Sequence, residues 1–310
     1  MHDLCEAVRR GDINAVRSKL MAGADPDQCS WGDETSLMIA AKDGSTDIVI
    51  CLLEAGAEFD FLDLNNKTAL MHAVAAGHSD VVDVIINADS QFQDEARYIS
   101  ELLGIAASHG HAEMVDKFLR LGAEVDGAID DAGNSALMVA ARSNRGPVVR
   151  SLVRAGANVK RENSGGLSPL LIAVQHGDED IVEFLIESSA SSAQMSDLLL
   201  IAASRGHASI VRRLIVSGAD INKVGDDKRS PLDIALDFAE YKTAKLLIDL
   251  GADDSKVDRR HRWFCAAAKS LRAGNDRALL RAIKKIRVSP QSIARRDTPA
   301  YYDCQSRHTQ

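Results

Sequence analysis

His78, His111 and His207 each follow a glycine directly, and His109 stands just before the glycine that precedes His111. Imidazole is a common zinc ligand, so His109-Gly110-His111 is the first place where metal chemistry could arise. The glycine that ends a helix there leaves one histidine on each side of the break. No third ligand is fixed by spacing, so no metal site is expected. The three histidines read instead as one polar residue repeated at the start of a helix.

Other catalytic chemistry has little footing. The sequence contains no Gly-x-x-x-x-Gly-Lys-Ser/Thr loop, no Gly-x-Ser-x-Gly elbow and no His-Glu-x-x-His helix. Gly165-Gly166 falls in a turn, where glycine serves backbone geometry. The carboxylates are scattered over helix surfaces and turns, as solvated faces rather than a general acid/base pair. The cysteines, Cys5, Cys29, Cys51, Cys265 and Cys304, are odd in number and share no Cys-x-x-Cys spacing. They read as free thiols of a reducing compartment. Neither catalysis nor a cofactor is expected.

The elements that carry these residues repeat. Ala40-Ala41-Lys42-Asp43-Gly44, Ala106-Ala107-Ser108-His109-Gly110 and Ala202-Ala203-Ser204-Arg205-Gly206 are versions of one phrase, and Gly11, Gly44, Gly77 and Gly110 lie 33 residues apart. A fixed period in this range marks a repeat architecture. Upstream of the phrase stand Thr35, Thr68, Ser135, Ser168 and Ser230, each able to cap a helix, with Pro169 and Pro231 suited to a first helical turn. Alanines let that helix approach its neighbours, and the glycine ends it in a left-handed turn. Asn144 takes the glycine's place in one copy and Ala239 in another, where the turn is expected to be longer or helical. A second amphipathic helix follows, as in Asp47–Leu53 and Asp80–Ile86, and closes at a Gly-Ala pair such as Gly56-Ala57 or Gly122-Ala123. Neither helix can bury its apolar face alone, so stacking must make the core.

This unit resembles the ankyrin repeat, with its Thr-Pro-Leu-His-x-Ala-Ala-x-x-Gly-His phrase and Gly-Ala loop. The resemblance covers residues 3–254 as eight copies: an N-terminal cap at 3–27 and repeats over 28–254. A degenerate ninth is placed at Arg262–Ile286. It implies an all-α solenoid of about eight to nine helix-turn-helix repeats with short β-turn fingers. Departures are visible. Met38, Met71, Gly104, Met138, Leu171, Leu200 and Asp233 replace the family histidine that braces the next loop. That loss puts rigid inter-repeat loops in question. The copies beginning at Glu101 and Asp197 lack the Thr-Pro start and follow joins at Ser90–Ser100 and Ser188–Ser196, the second of which is the better candidate for a flexible point.

The resemblance also implies a concave groove lined by the turn residues and the exposed ends of the first helices. Carried over copy by copy, the N-terminal positions are Trp31, Lys42, Asp43, Leu64, Asn65, Lys67, Arg97, Tyr98 and His109. Asp131, Asn134, Arg142, Leu167, Gln175 and His176 continue the groove, and Arg205, Asp227, Arg229, Asp237 and Phe238 end it. Trp31 and Tyr98 stand out because aromatic residues are 4% of the chain and anchor interfaces well.

Residues 255–310 hold 14 Lys+Arg against 4 Asp+Glu, a balance of +10 that leaves −18 for residues 1–254. Residues 255–288 read as a basic helical cap or degenerate repeat, and 289–310 as a disordered tail. No apolar run is long enough for a membrane span, and no secretory signal pattern opens the chain. The expected protein is a monomeric cytoplasmic scaffold that binds a partner protein in the groove. The alternatives are nucleic-acid or anionic-surface contact through the basic segment, and service as an enzyme's regulatory subunit.

Overall fold

The computed structural model describes residues 3–27, 33–88, 96–189 and 192–272, which hold seventeen α-helices. They fall in two compact units, Met1–Pro169 and Leu170–Gln310. In the first, short helices alternate: α1 (Asp3–Arg9), α2 (Ile13–Met21), α3 (Ser36–Asp43), α4 (Thr46–Glu54) and α5 (Ala69–Ala76). They continue as α6 (Ser79–Ala88), α7 (Ala96–His109), α8 (Ala112–Arg120), α9 (Ala136–Arg142) and α10 (Gly146–Arg154). The odd-numbered helices form one row, α1 to α9, each packed on the next odd one. Among the even-numbered ones α2 packs on α4, α4 on α6 and α8 on α10. The second unit carries α11 (Pro169–His176), α12 (Glu179–Ser189), α13 (Ser192–Ser204), α14 (Ala208–Val216), α15 (Pro231–Asp237), α16 (Tyr241–Asp249) and α17 (Arg262–Arg272). There α13 packs on α15, α12 on α14, α14 on α16, and α16 on α17.

Local chemistry explains each pair. Thr35, Thr68, Ser135 and Ser230 accept the backbone N–H three residues on, as expected of helix caps. Met38, Met138 and Asp233 use the position of the absent family histidine to close the same cap, accepting the cap residue's own N–H. The first helices bury small residues such as Ala40, Ala41, Ala106, Ala107, Ala140 and Ala141, which lets the row pack closely. The second helices bury one stripe each, Ile48-Val49-Leu52 in α4 and Met114-Val115-Phe118 in α8. Each such aliphatic or aromatic side chain contributes about 1.5–3 kcal/mol by leaving water. Gly44 ends α3 at φ 72°, and the Ser45 amide then bonds Ala40 O at 3.0 Å. Asn144 makes the same left-handed turn at φ 53°.

Three expectations need correction. The β-turn fingers are absent as β structure: no strand occurs among the described residues. The connections are closed one bond at a time, as in Asp63 N–H to Lys67 O and Asn163 N–H to Leu167 O. A side-chain oxygen at the loop's head then takes the remaining amides. Asp63 Oδ1 accepts from Asn65 and Lys67, and Asn163 Oδ1 accepts from Gly165 and Leu167. Such Asx bonding competes with strand pairing. The turn at Ala239 is neither longer nor helical. Ala239 adopts φ 62°, and Glu240 N bonds Ala235 O at 2.7 Å, the arrangement Gly44 makes.

The third correction concerns the connections between repeats, which are tied despite the missing histidine. Asp27 Oδ1 accepts the Glu58 amide, Asp126 Oδ1 that of Asn158, and Asn222 Oδ1 that of Asp253. Where the Thr-Pro start is missing, the first helix is longer instead, 14 residues in α7 and 13 in α13. Parts of the two joins, residues 89–95 and 190–191, lie outside the described residues, as do 273–310 and with them most of the expected ninth copy and the tail.

Candidate partner-binding face

In the first unit the row α3, α5, α7, α9 brings the last turns of the first helices side by side. Lys42 and Asp43 end α3, His109 ends α7 and Arg142 ends α9; all four are exposed. The loop from Ala57 to Thr68 leads into the first turn of α5, the opposite end of the first helices from those last turns. It carries Leu64, 72% exposed, with Asn65 and Lys67 also exposed. Phe61 and Leu62 are 40% and 53% exposed on the same loop. Neither of those two was singled out from sequence, although the run Phe59-Asp60-Phe61-Leu62-Asp63-Leu64 is apolar where other connections are polar. Arg97 and Asp131 are exposed as well. Trp31 lies outside the described residues.

Other candidates in this unit are occupied internally. Tyr98 is half-buried, with its hydroxyl 2.6 Å from Thr68 Oγ1, so it fastens α7 to the cap of α5. Asn134 is 4% exposed and works inside the loops, donating to Asp130 Oδ2 at 2.7 Å and accepting from Asn163 Nδ2 at 2.8 Å. Leu167 is half-buried. His109 stays on its own helix, its Nδ1 2.9 Å from Ile105 O, and its ring stacks on His111 at 6.2 Å. His111 in turn points its Nε2 at Ala75 O, 3.0 Å away. The two rings therefore serve separate structural contacts, and among the described residues no group of three His, Cys, Asp or Glu is placed to hold a metal.

The loop of Leu64 rests on a buried pair. His72 Nε2 lies 2.9 Å from Asp63 Oδ2, and Asp63 is 6% exposed. Burial would raise the Asp63 carboxyl, but the Lys67 and Asn65 amides and His72 together hold it below the ordinary aspartate range. The carboxylate thus serves as a fixed acceptor that sets the loop's shape. Pairing nine residues apart between a loop and a helix carries no sequence signature of its own.

In the second unit Gln175 and His176 end α11, Arg205 follows α13, and Asp237 and Phe238 lie at the end of α15. Gln175 is half-buried and gives its carbonyl to His207 Nε2 at 3.3 Å, while His176 and Arg205 are exposed. Phe238 is half-buried. Asp227, Arg229 and Asp237 are brought together: Arg229 Nε donates to Asp227 Oδ2 at 2.7 Å and its Nη1 to Asp237 Oδ2 at 3.2 Å. Arg260 and His261 reach the other oxygen of Asp237 at 3.5 and 3.2 Å. This network occupies all three candidate charges in holding a loop to the segment before α17.

Comparison with known proteins follows the same lines. The family model described as "Ankyrin repeats (3 copies)" matches residues 4–95, 103–197 and 191–258. The chain belongs to the ankyrin repeat family. Among curated proteins it is 33% identical over 146 residues to the rice (Oryza sativa subsp. japonica) potassium channel KOR1, covering 36% of this chain and 17% of that protein. It is 32% identical over 123 residues to a Caenorhabditis elegans homologue of transient receptor potential cation channel subfamily A member 1, 39% of this chain and 10% of that one. Human neurogenic locus notch homolog protein 1 is 31% identical over 148 residues, 46% of this chain and 6% of that protein. The chain thus matches only a small part of each relative's length. Among the described residues no helix is long and apolar enough to cross a membrane. Ankyrin repeat stacks serve in general as scaffolds for protein–protein contact, and this chain has that architecture.

Proposed function

We propose that the first unit captures a partner protein on the face formed by the Leu64 loop and the exposed ends of α3, α7 and α9. The observation that carries this reading is the cluster Phe61, Leu62 and Leu64, which is solvent-exposed on a loop held rigid from beneath by Asp63 and His72. Apolar groups held in water by a fixed scaffold favour association, since their burial costs little ordering entropy. Arg97 and Arg142 supply charged anchors on the same unit. Ankyrin stacks vary these same positions from one target to the next, so the identity of the partner lies in this surface.

The test is capture from the source organism with the protein and with a Leu64→Ser, Arg97→Ala, Arg142→Ala triple variant. All three side chains are exposed, so circular dichroism and unfolding temperature should stay unchanged. Loss of a reproducible partner set with the fold intact is the expected result. Undiminished capture would reject this face.

A further inference from the structure

The outer side of the second unit carries a site of different character. Helices α14 and α16 pack with a groove of about 420 Å³ between them, lined by Ser209, Arg212, Lys242, Lys245 and Asp249. Lys245 is paired with Asp249 at 2.7 Å. Arg212 and Lys242 are exposed and form no ion pair among the described residues. The groove therefore holds three cations and one carboxylate. Lys242 and Lys245 are three residues apart on α16 and share a face, as do Tyr241 and Lys245 at four.

Tyr241 stands at the first turn of α16 and is 39% exposed. Its ring is held by two others from α17, Phe264 at 5.2 Å and Trp263 at 6.3 Å, and those two meet edge to face at 5.7 Å. A partly open aromatic ring, fixed by its neighbours, thus stands one helical turn from the cationic groove. The described part of the basic segment adds Lys256, Arg259, Arg262 and Arg272, while Arg260 is paired with Asp258 and Asp237 and Lys269 with Asp254.

We infer that this groove binds single-stranded nucleic acid, with Arg212 and Lys242 on successive phosphates and an unstacked base against Tyr241. Paired cations beside an exposed ring are what such a strand needs, since phosphates track the charge and bases stack without sequence preference. A phosphopeptide would use the cations and leave the ring without a role. A duplex keeps its bases stacked away from a side-chain ring. The site shares no residue with the partner-binding face and stands or falls independently of it.

The probes are fluorescein-labelled 15-nucleotide oligouridylate and oligothymidylate, titrated with the full chain and read by anisotropy from about 50 to 200 mM salt, where single-strand binding weakens by about 0.7 log unit per phosphate contact for each log unit of salt. The Arg212→Gln, Lys242→Gln variant should bind at least tenfold more weakly at the lowest salt. Its salt slope should flatten by about 1.4, the share of two lost phosphate contacts. Tyr241→Leu should weaken binding about tenfold while keeping the wild-type slope, and Tyr241→Phe should bind as wild type. Unequal affinity for the two probes would assign the strand as RNA or DNA. Absence of binding at 50 mM salt overturns the proposal. So does binding that survives the double variant, which would place the contact on the basic segment, or capture of a phosphopeptide or phosphoinositide vesicle with no oligonucleotide bound.

Discussion

His78 Nε2 lies 3.1 Å from the carbonyl oxygen of Lys42, 36 residues earlier, and its ring covers Gly44 so closely that a Cβ there would meet ring atoms at 2.6 Å. The arrangement repeats: His111 covers Gly77 and reaches Ala75 O, and His207 covers Gly177 and reaches Gln175 O. Arg145 does the same with Gly110, its Nε donating to Ser108 O at 3.0 Å. The glycine therefore has two duties, a left-handed turn and a seat for the next repeat's side chain. Gly44→Ala should destabilise the protein by about 1–2 kcal/mol from backbone strain alone, plus the clash. In a His78→Ala background only the strain should remain. A double-mutant cycle from denaturant midpoints measures the difference.

Ala239 occupies the same left-handed position at φ 62° without glycine's freedom. Ala239→Gly should stabilise the protein by about 1 kcal/mol, because the strain of a Cβ in that region is removed. The check is a rise in unfolding temperature. An unchanged or lower value would mean that neighbouring contacts already absorb the strain.

Asp63 and Asp178 should respond to acid with opposite signs. Asp63 is held below its ordinary range, so its contribution is complete above the unfolded aspartate value of about 3.9 and is lost as pH falls through the lower folded value. Hydrogen exchange at the Lys67 amide should therefore accelerate below about pH 4, after correction for intrinsic rates. Asp178 is raised instead, chiefly by burial, and its Oδ2 is buried with no hydrogen-bond partner among the described residues. Its charge costs stability at neutral pH, and the cost is relieved as pH falls through the raised value. Asp178→Asn should gain stability at pH 7 and little at pH 3 in paired thermal melts.

Cys265 is buried, and that burial, aided by Asp254, pushes its thiol up to about 11. Thiolate is the reactive form, so alkylation at pH 8 should label Cys265 after the half-exposed Cys51. Mass spectrometry of peptides from a timed iodoacetamide reaction gives the order. Equal rates would mean that α17 opens readily.

What could be read from the sequence was what is local. Thr35, Thr68, Ser135 and Ser230 cap their helices as their spacing suggests, and Asn144 turns like a glycine because its short polar side chain tolerates that conformation. The repeat period also gave the pairing of helices. The expected β-turn fingers did not form, because Asp63 and Asn163 take the loop amides that a strand ladder would need. Ala239 shows packing overriding preference, with its neighbours keeping the turn that its side chain disfavours. The ties from His78, His111 and His207 join atoms more than thirty residues apart, and a histidine after a glycine does not announce its acceptor. Among the groove candidates, Tyr98 and Asn134 turned inward to Thr68 and Asn163, while Leu64 and Arg142 remain exposed. Repeat register assigns a position to a face, but hydrogen bonding decides whether the side chain is spent there.

The partner-binding face is tested most directly by a photo-crosslinking amino acid placed at Leu64 and, separately, at Ile50. Ile50 is 38% exposed on α4, in the same unit but away from the loop. Irradiation in the source organism should give a discrete crosslinked species from position 64 and none from position 50. Crosslinking from position 50 alone would contradict the account and move the partner to the row of second helices that includes α4.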